Sequence, residues 1–205
     1  MKRGLTIFAV VILLLGLTLT GIWIVRPDLV NNYRKNRTLK FGDRVDSLHG
    51  VIVYYNGGVG NTQGRTLTED NYNIGKKYQC VEFVKRYYYE RLGHKMPDSY
   101  GHAKDFFDPG LGDGDWSEKR SLYQYSNGSK VKPDTSDLVI FKGSVYNSYG
   151  HVAIVSAVFE KEVEIIQQNP GPFAASRIRI GITNRNGKWF YEYGSVLGWL
   201  RKKLN

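Results

Sequence analysis

The 205-residue sequence has a single cysteine, Cys80. One cysteine excludes an intramolecular disulfide framework and any zinc site built from several thiolates. The histidines and carboxylates show none of the spacings typical of a metal site. The glycine-rich residues 57–60 lack the lysine and the helix start of a phosphate-binding loop. We therefore predict no metal ion and no other cofactor.

The sequence also has fewer acidic than basic residues, with 19 Asp and Glu against 29 Lys and Arg and a net charge of +10. Such a surplus suits nucleic acid, anionic lipid or an anionic cell-wall polymer. Because the globular part contains no long basic run, we do not predict nucleic acid as a partner. The hydrophobic content of 41% argues against disorder, and the length fits one domain with an appendage.

Residues 5–25 contain no charged side chain. At ~1.5 Å per residue, a helix of this length spans the ~30 Å hydrocarbon core of a bilayer. A secretory signal peptide has a shorter apolar region and a small-residue cleavage site, which this stretch lacks. We therefore predict a signal anchor (a transmembrane helix) over residues 1–26, a basic juxtamembrane linker over residues 27–45 and a globular domain over residues 46–203.

Two signals about membrane topology conflict. More basic residues follow the apolar stretch than precede it, which by the positive-inside rule keeps the globular domain in the cytoplasm. A very short tail before an anchor, however, usually stays inside while the large domain is exported. We favour the exported orientation, a single-pass membrane protein with its domain periplasmic or at the cell surface, and the cytoplasmic alternative stays open.

The globular part has its helical patterns in the first half, after one predicted strand, and its other strands in the second half. Apolar spacing predicts a helix from Cys80 to Leu92 that ends at Gly93, with Lys85 and Arg86 turned away from its apolar face. A first strand at residues 51–55 and an irregular loop at 59–75 precede it, and a short helix at 103–107 follows. Further strands are predicted at residues 138–141, 152–158, 163–166, 177–180 and 196–200, with a hairpin turn at 186–187. This order predicts an α+β fold, with N-terminal helices packed on an antiparallel sheet.

Cys80 and His151 form the pattern of a thiol nucleophile with a remote base. A helix N-terminus favours the thiolate, and His151 opens an apolar strand after a glycine. A histidine base needs an acceptor for its second ring nitrogen, and Gln167 and Asn169 share a face at the end of the next strand. Purely structural alternatives stay open at this point: Cys80 also fits a small buried hydrophobic residue, and residues 167–169 also fit the exposed end of a strand.

Several segments in the same order resemble the CHAP family, the cysteine- and histidine-dependent amidohydrolases/peptidases of the papain-like (NlpC/P60-type) class of folds. They are Tyr-Gln-Cys-Val-Glu-Phe at 78–83, Gly-His-Val-Ala-Ile at 150–154 and the Gln-Asn strand end at 168–169. Within the family they resemble most the amidase domain of bacterial glutathionylspermidine synthetase/amidase, which shares the Asn-Gly-Ser turn at 127–129 and the Leu-Gly-Trp ending at 197–199. The resemblance covers residues 46–203.

The resemblance implies that Cys80 is the nucleophile and His151 the base, with Gln167 and Asn169 as further catalytic residues and Gln79 as an oxyanion-hole or substrate contact. The third residue of the family is commonly Glu, two positions before a recurring Asn. Here that position is Gln167, and an amide orients an imidazole without stabilising its charge. This departure predicts a weaker thiolate–imidazolium pair.

The implied function is a membrane-anchored, monomeric cysteine amidohydrolase/peptidase that cleaves an amide bond in peptidoglycan. A cytoplasmic domain would instead suit an amidase of glutathionylspermidine-like conjugates. A third alternative, favoured by Gln167, is a domain that binds cell-wall peptides without turnover.

Overall fold

The computed structural model describes residues 26–203, so the predicted membrane span over residues 5–25 lies outside the described part of the chain. Within the described part, no helix combines the length and apolarity needed to cross a bilayer. The described residues divide into two compact units. One comprises residues 26–39 with Pro172–Ala174, and the other comprises Lys40–Gly171 with residues 175–203.

Helix α1, Pro27–Thr38, occupies most of the segment predicted as a linker. Proline suits the first turn of a helix because its missing N–H has no partner there in any case. Within its unit, the side-chain amides of Asn32 and Asn36 donate to the carbonyls of Phe173 and Pro172, at 3.2 and 2.9 Å. No residue of α1 is buried, which explains why its sequence carries no apolar periodicity.

The larger unit is built on an eight-stranded antiparallel sheet with the spatial order β11-β10-β9-β8-β7-β12-β6-β5. Its strands are β5 Trp116–Ser117, β6 Leu122–Ser126, β7 Leu138–Phe141, β8 His151–Val158, β9 Glu162–Ile166, β10 Arg177–Arg185, β11 Lys188–Tyr191 and β12 Val196–Arg201. The antiparallel sheet and the turn at Asn186–Gly187, where both residues have positive φ, confirm the sequence prediction. The sheet is larger than predicted, because β5 and β6 extend it beyond β12.

Both faces of this sheet are covered at its centre. Leu138 and Ile140 of β7 belong to the core that also contains Phe83 and Val84, whereas Val139 belongs to the core on the opposite side. Val152 and Val155 of β8 divide in the same way, as the two-residue period of a strand requires. The strands that carry the site are therefore held from both sides.

Four further strands form two small sheets. β1, Arg44–Leu48, pairs with β2, Val51–Tyr54, and β3, Arg65–Leu67, pairs with β4, Asn73–Lys76. The predicted first strand is thus present but lies outside the main sheet, and the predicted irregular loop at 59–75 contains a strand pair. A 3-10 helix, Ala103–Phe106, stands where a short helix is predicted.

Helix α2, Cys80–Leu92, ends as predicted at Gly93, which has φ of 58°. Lys85 and Arg86, predicted to face away from the apolar face of the helix, are both buried. β8 lies on one side of the helix and β2 and β4 contact it as well. Lys85 Nζ donates to the carbonyls of Asn73 and Ser99, and Arg86 pairs with Glu82 at 2.7 Å.

Candidate active site

Cys80 is the first residue of α2. Tyr78 has φ of +60° and Gln79 is extended, so the chain turns sharply into the helix and places the cysteine at its N-terminus. Burial raises the pKa of the Cys80 thiol, whereas backbone hydrogen bonds from Val152, Val81 and Cys80 itself act in the opposite direction. The sulfur therefore lies between the first turn of α2 and the start of β8, among donors that stabilise negative charge.

His151 is the first residue of β8 and lies opposite Phe141 of β7, with the ring centroids 5.8 Å apart. Gly150 before it has φ of +74°, and a Cβ there would stand 2.6 Å from the Phe141 carbonyl oxygen. Burial lowers the pKa of His151 to about 4, so the imidazole is neutral at neutral pH. The histidine and the cysteine are both only partly buried, which leaves them accessible to a substrate.

Gln167 fixes the tautomer of His151. Its Nε2 donates to the carbonyl of Ala175 at 3.0 Å, which turns Oε1 toward the imidazole. Oε1 then accepts from His151 Nε2 at 3.0 Å. Since Nε2 carries the proton, Nδ1 is the unprotonated nitrogen that can accept a proton from a thiol.

Asn169 and Gln79 form a second pair beside this one. Asn169 has φ of +54° and its Nδ2 donates to Gln79 Oε1 at 2.7 Å, so it orients Gln79 and not His151. Gln79 Nε2 donates to the carbonyls of Asn61 and Val59, at 2.8 and 3.3 Å. Because both protons of this amide are engaged, the donors near the sulfur are the backbone N–H groups of Cys80, Val81 and Val152.

One buried residue of the site, Gln168, has no role assigned to it from the sequence. It is fully buried and bonds the backbone of Gln79, the carboxylate of Glu82 and the backbone of Tyr54. The signal that could have found this role is the strand period, because residue 168 continues the face of Ile166, which packs in the same core as α2. Within residues 26–203, no group of three or more His, Cys, Asp or Glu is arranged to hold a metal ion.

Comparison with known proteins places these residues in a family. Residues 70–169 match the family described as CHAP domain. Over 106 residues the chain is 34% identical to "Trypanothione synthetase" of Crithidia fasciculata, which covers 52% of this chain and 16% of the relative. Over 147 residues it is 30% identical to "Bifunctional glutathionylspermidine synthetase/amidase" of Escherichia coli (strain K12), which covers 66% of this chain and 23% of the relative. The chain thus spans less than a quarter of the length of either relative.

Among solved structures, the endolysin LysIME-EF1 matches over 85% of this chain and 63% of its own, at 17% identity. The TM-score of 0.39 is too low for this likeness to bear on the function. The family match, by contrast, contains Cys80, His151 and Gln167 together. Residues 70–169, just under half of the chain, thus match the domain of cysteine- and histidine-dependent amidohydrolases/peptidases, and the CHAP resemblance predicted from the sequence is confirmed.

Proposed function

We propose that the chain hydrolyses an amide bond, with Cys80 as the nucleophile and His151 as the base. The observation that carries the proposal is the bond of His151 Nε2 to Gln167 Oε1. It leaves Nδ1 as the proton acceptor, and the adjacent residue Val152 bonds the Cys80 sulfur through its backbone. A nucleophile, a base and a residue that orients the base are the minimal set for covalent hydrolysis.

The first half of the reaction forms a thioester. Because burial raises the pKa of Cys80 and lowers that of His151, the pair rests as a neutral thiol and a neutral imidazole. His151 Nδ1 takes the thiol proton as the sulfur attacks the carbonyl carbon, and backbone N–H groups at the start of α2 donate to the oxyanion. The C–N bond then breaks, and the leaving amine takes the proton from Nδ1.

The second half hydrolyses the thioester. A water gives its proton to Nδ1 and its oxygen attacks the thioester carbon. The carboxylic acid leaves, and the sulfur regains the proton from the imidazolium. Gln167 holds the ring by its neutral oxygen in every step and does not neutralise the imidazolium, which favours a slower enzyme than one with a carboxylate there.

The placement of the pair supports a papain-like (NlpC/P60-type) arrangement. The nucleophile lies at the N-terminus of α2, the helix contacts β8, and His151 opens that strand of an antiparallel sheet. This is the finer fold class to which the proposal assigns the domain.

For the substrate, we propose an amide or peptide bond of peptidoglycan. The apolar stretch at residues 5–25 favours a membrane anchor with the domain exported, and the net charge of +10 suits an anionic wall. A second candidate is a glutathionylspermidine-type amide, favoured by the 30% identity to a relative whose name includes that amidase.

The test compares the full-length protein with its Cys80→Ala variant on two substrates, purified sacculi and glutathionylspermidine. Release of new amino groups is followed by fluorescent labelling, and the products are identified by mass spectrometry. We expect release from sacculi by the wild-type protein only. Release from glutathionylspermidine alone would transfer the proposal to the second candidate. Sacculus binding by both proteins without release from either substrate would show a non-catalytic wall-binding domain.

A further inference from the structure

Gln168 links three segments around the nucleophile. Its side chain is fully buried, with Oε1 accepting from the Tyr54 backbone N–H at 2.8 Å. Its Nε2 donates to the Gln79 carbonyl at 3.0 Å and to Glu82 Oε2 at 2.8 Å. The carbonyl and both N–H groups of the amide are thereby used: Tyr54 lies in β2, whereas Gln79 and Glu82 lie at the start of α2.

Resting on the proposed function, we propose that Gln168 is a positioning residue that holds Cys80 in register with His151 and Gln167. The bond to the Gln79 carbonyl joins the residue directly before the nucleophile to the residue directly after Gln167. The same Gln79 carbonyl accepts from the Phe83 N–H at 3.1 Å, so Gln168 binds the first turn of α2 at its hydrogen-bonded start.

Glu82 extends this link into the helix. It is buried, and its second oxygen, Oε1, accepts from Arg86 Nε at 2.7 Å. Arg86 NH2 in turn donates to the Ile52 carbonyl at 2.7 Å. A buried carboxylate with both oxygens engaged is held in one place, so the bond of Gln168 to Glu82 fixes the helix against the end of β9.

The alternative is that Gln168 only stabilises the core and does not position Cys80. The chain offers a control for this alternative. Gln124 of β6 is also fully buried, and its Oε1 accepts from the Asp108 N–H at 2.8 Å while its Nε2 donates to the Asp108 carbonyl at 2.9 Å. None of its side-chain bonds reaches α2, β8 or β9. Gln124 therefore shares the burial and bonding of Gln168 without the connection to Cys80.

The experiment compares four variants of the full-length protein: Gln168→Glu, Gln168→Leu, Gln124→Glu and Gln124→Leu. The glutamates keep the shape and the acceptor but lose the Nε2 donor, and the leucines lose all side-chain bonds. Circular dichroism gives the folded fraction of each, and Cys80 alkylation by iodoacetamide at neutral pH reports on the thiol without any substrate. Turnover of the hydrolysed substrate gives kcat and KM.

In folded Gln168→Glu we expect the alkylation rate and kcat each to fall ~10- to 100-fold, because a displaced sulfur is misaligned for attack. KM should change little, because the residues that bind the substrate are unaltered. The Gln124 variants should lose stability but keep the alkylation rate of their folded fraction. The proposal would be overturned if Cys80 of Gln168→Glu were alkylated at the wild-type rate, or if alkylation were slowed equally in Gln124→Glu. If the wild-type protein cleaves neither substrate while the alkylation rates still separate, the proposed function fails and the positioning role stands.

Discussion

Gln167 places an amide where the CHAP pattern commonly has the carboxylate of a glutamate. The amide oxygen accepts from His151 Nε2 and so selects the tautomer, as a carboxylate would. It brings no charge, and burial lowers the pKa of His151 to about 4 with only the Gln167 hydrogen bond raising it. The site therefore keeps its geometry and gives up the stabilisation of the imidazolium.

Replacing Gln167 by Glu should restore that stabilisation. A carboxylate next to the ring favours the charged imidazole and should raise the pKa of His151 by ~1–3 pH units. The new side chain also loses the bond to the Ala175 carbonyl, so the unfolding free energy should fall by ~1 kcal/mol. NMR titration of the imidazole protons measures the pKa, and turnover should increase with it.

Gln167→Leu is the control for this exchange, because it removes the acceptor without adding charge. It should lose the fixed tautomer and with it most of the turnover. A pKa of His151 that is the same in Gln167→Glu and in the wild type would contradict the argument.

At the residue level, the sequence predicted an amide partner for His151 but could not choose between two. Gln167 and Asn169 share a face in an extended strand, and both carry a suitable oxygen. The backbone conformation decides between Gln167 and Asn169, and no sequence pattern predicts it. β9 ends at Ile166, and Asn169 adopts φ of +54°, which turns its side chain to Gln79.

At the level of elements, the start of β8 depends on Gly150. Replacing Gly150 by Ala should displace the strand start, because the added Cβ would stand 2.6 Å from the Phe141 oxygen and 2.8 Å from Lys104 Cβ at a φ of +74°. We expect a loss of ~1–3 kcal/mol in the unfolding free energy, measured by urea denaturation, and a lower turnover since His151 follows directly.

Gly194→Ala is the matched control, since a Cβ there meets no atom within 4 Å. It should change the unfolding free energy by less than ~0.5 kcal/mol. Equal effects of the two substitutions would show that the backbone at Gly150 is not constrained as described.

The elements that the sequence predicted well are those whose apolar faces are buried. α2 and the strands from β7 to β12 carry the periodicity that packing against a core imposes. Helix α1 buries no residue, β3 is exposed at both ends, and Ile74 is the one apolar side chain of β4, so none of these three elements carries such a pattern. The burial of Lys85 could not be predicted from the sequence either. Its ammonium group donates to the backbone carbonyls of Asn73 and Ser99, and no local pattern indicates these partners.

At the level of the whole molecule, the strand order is the feature that the sequence predicts least. β12, the last strand, lies between β7 and β6 and pairs with both. This joins chain segments about sixty to eighty residues apart, and no local pattern encodes such a pairing. The α+β class could be predicted from the succession of elements, whereas the eight-stranded order required the three-dimensional structure.

The same global fold sets how stability depends on pH. His151 has a folded pKa of about 4 against an ordinary value of 6.5, so unfolding takes up a proton between these values and stability falls as the pH drops through this range. Asp137 has the opposite sign: burial raises its pKa to about 6 from 3.8, so its contribution favours the folded state as the pH drops from about 6. The two contributions oppose each other over most of the same interval.

A His151→Gln variant separates them, because it removes the histidine contribution and keeps that of Asp137. From about pH 7 to about pH 5, the unfolding free energy of the wild-type protein should fall by ~1–2 kcal/mol relative to the change in the variant. Urea denaturation at both pH values measures this difference, and the Asp137 contribution cancels in the comparison. An identical pH response of the two proteins would mean that burial does not lower the pKa of His151. A wild-type protein that gained stability relative to the variant as the pH falls would have a raised pKa, as in a thiolate–imidazolium pair.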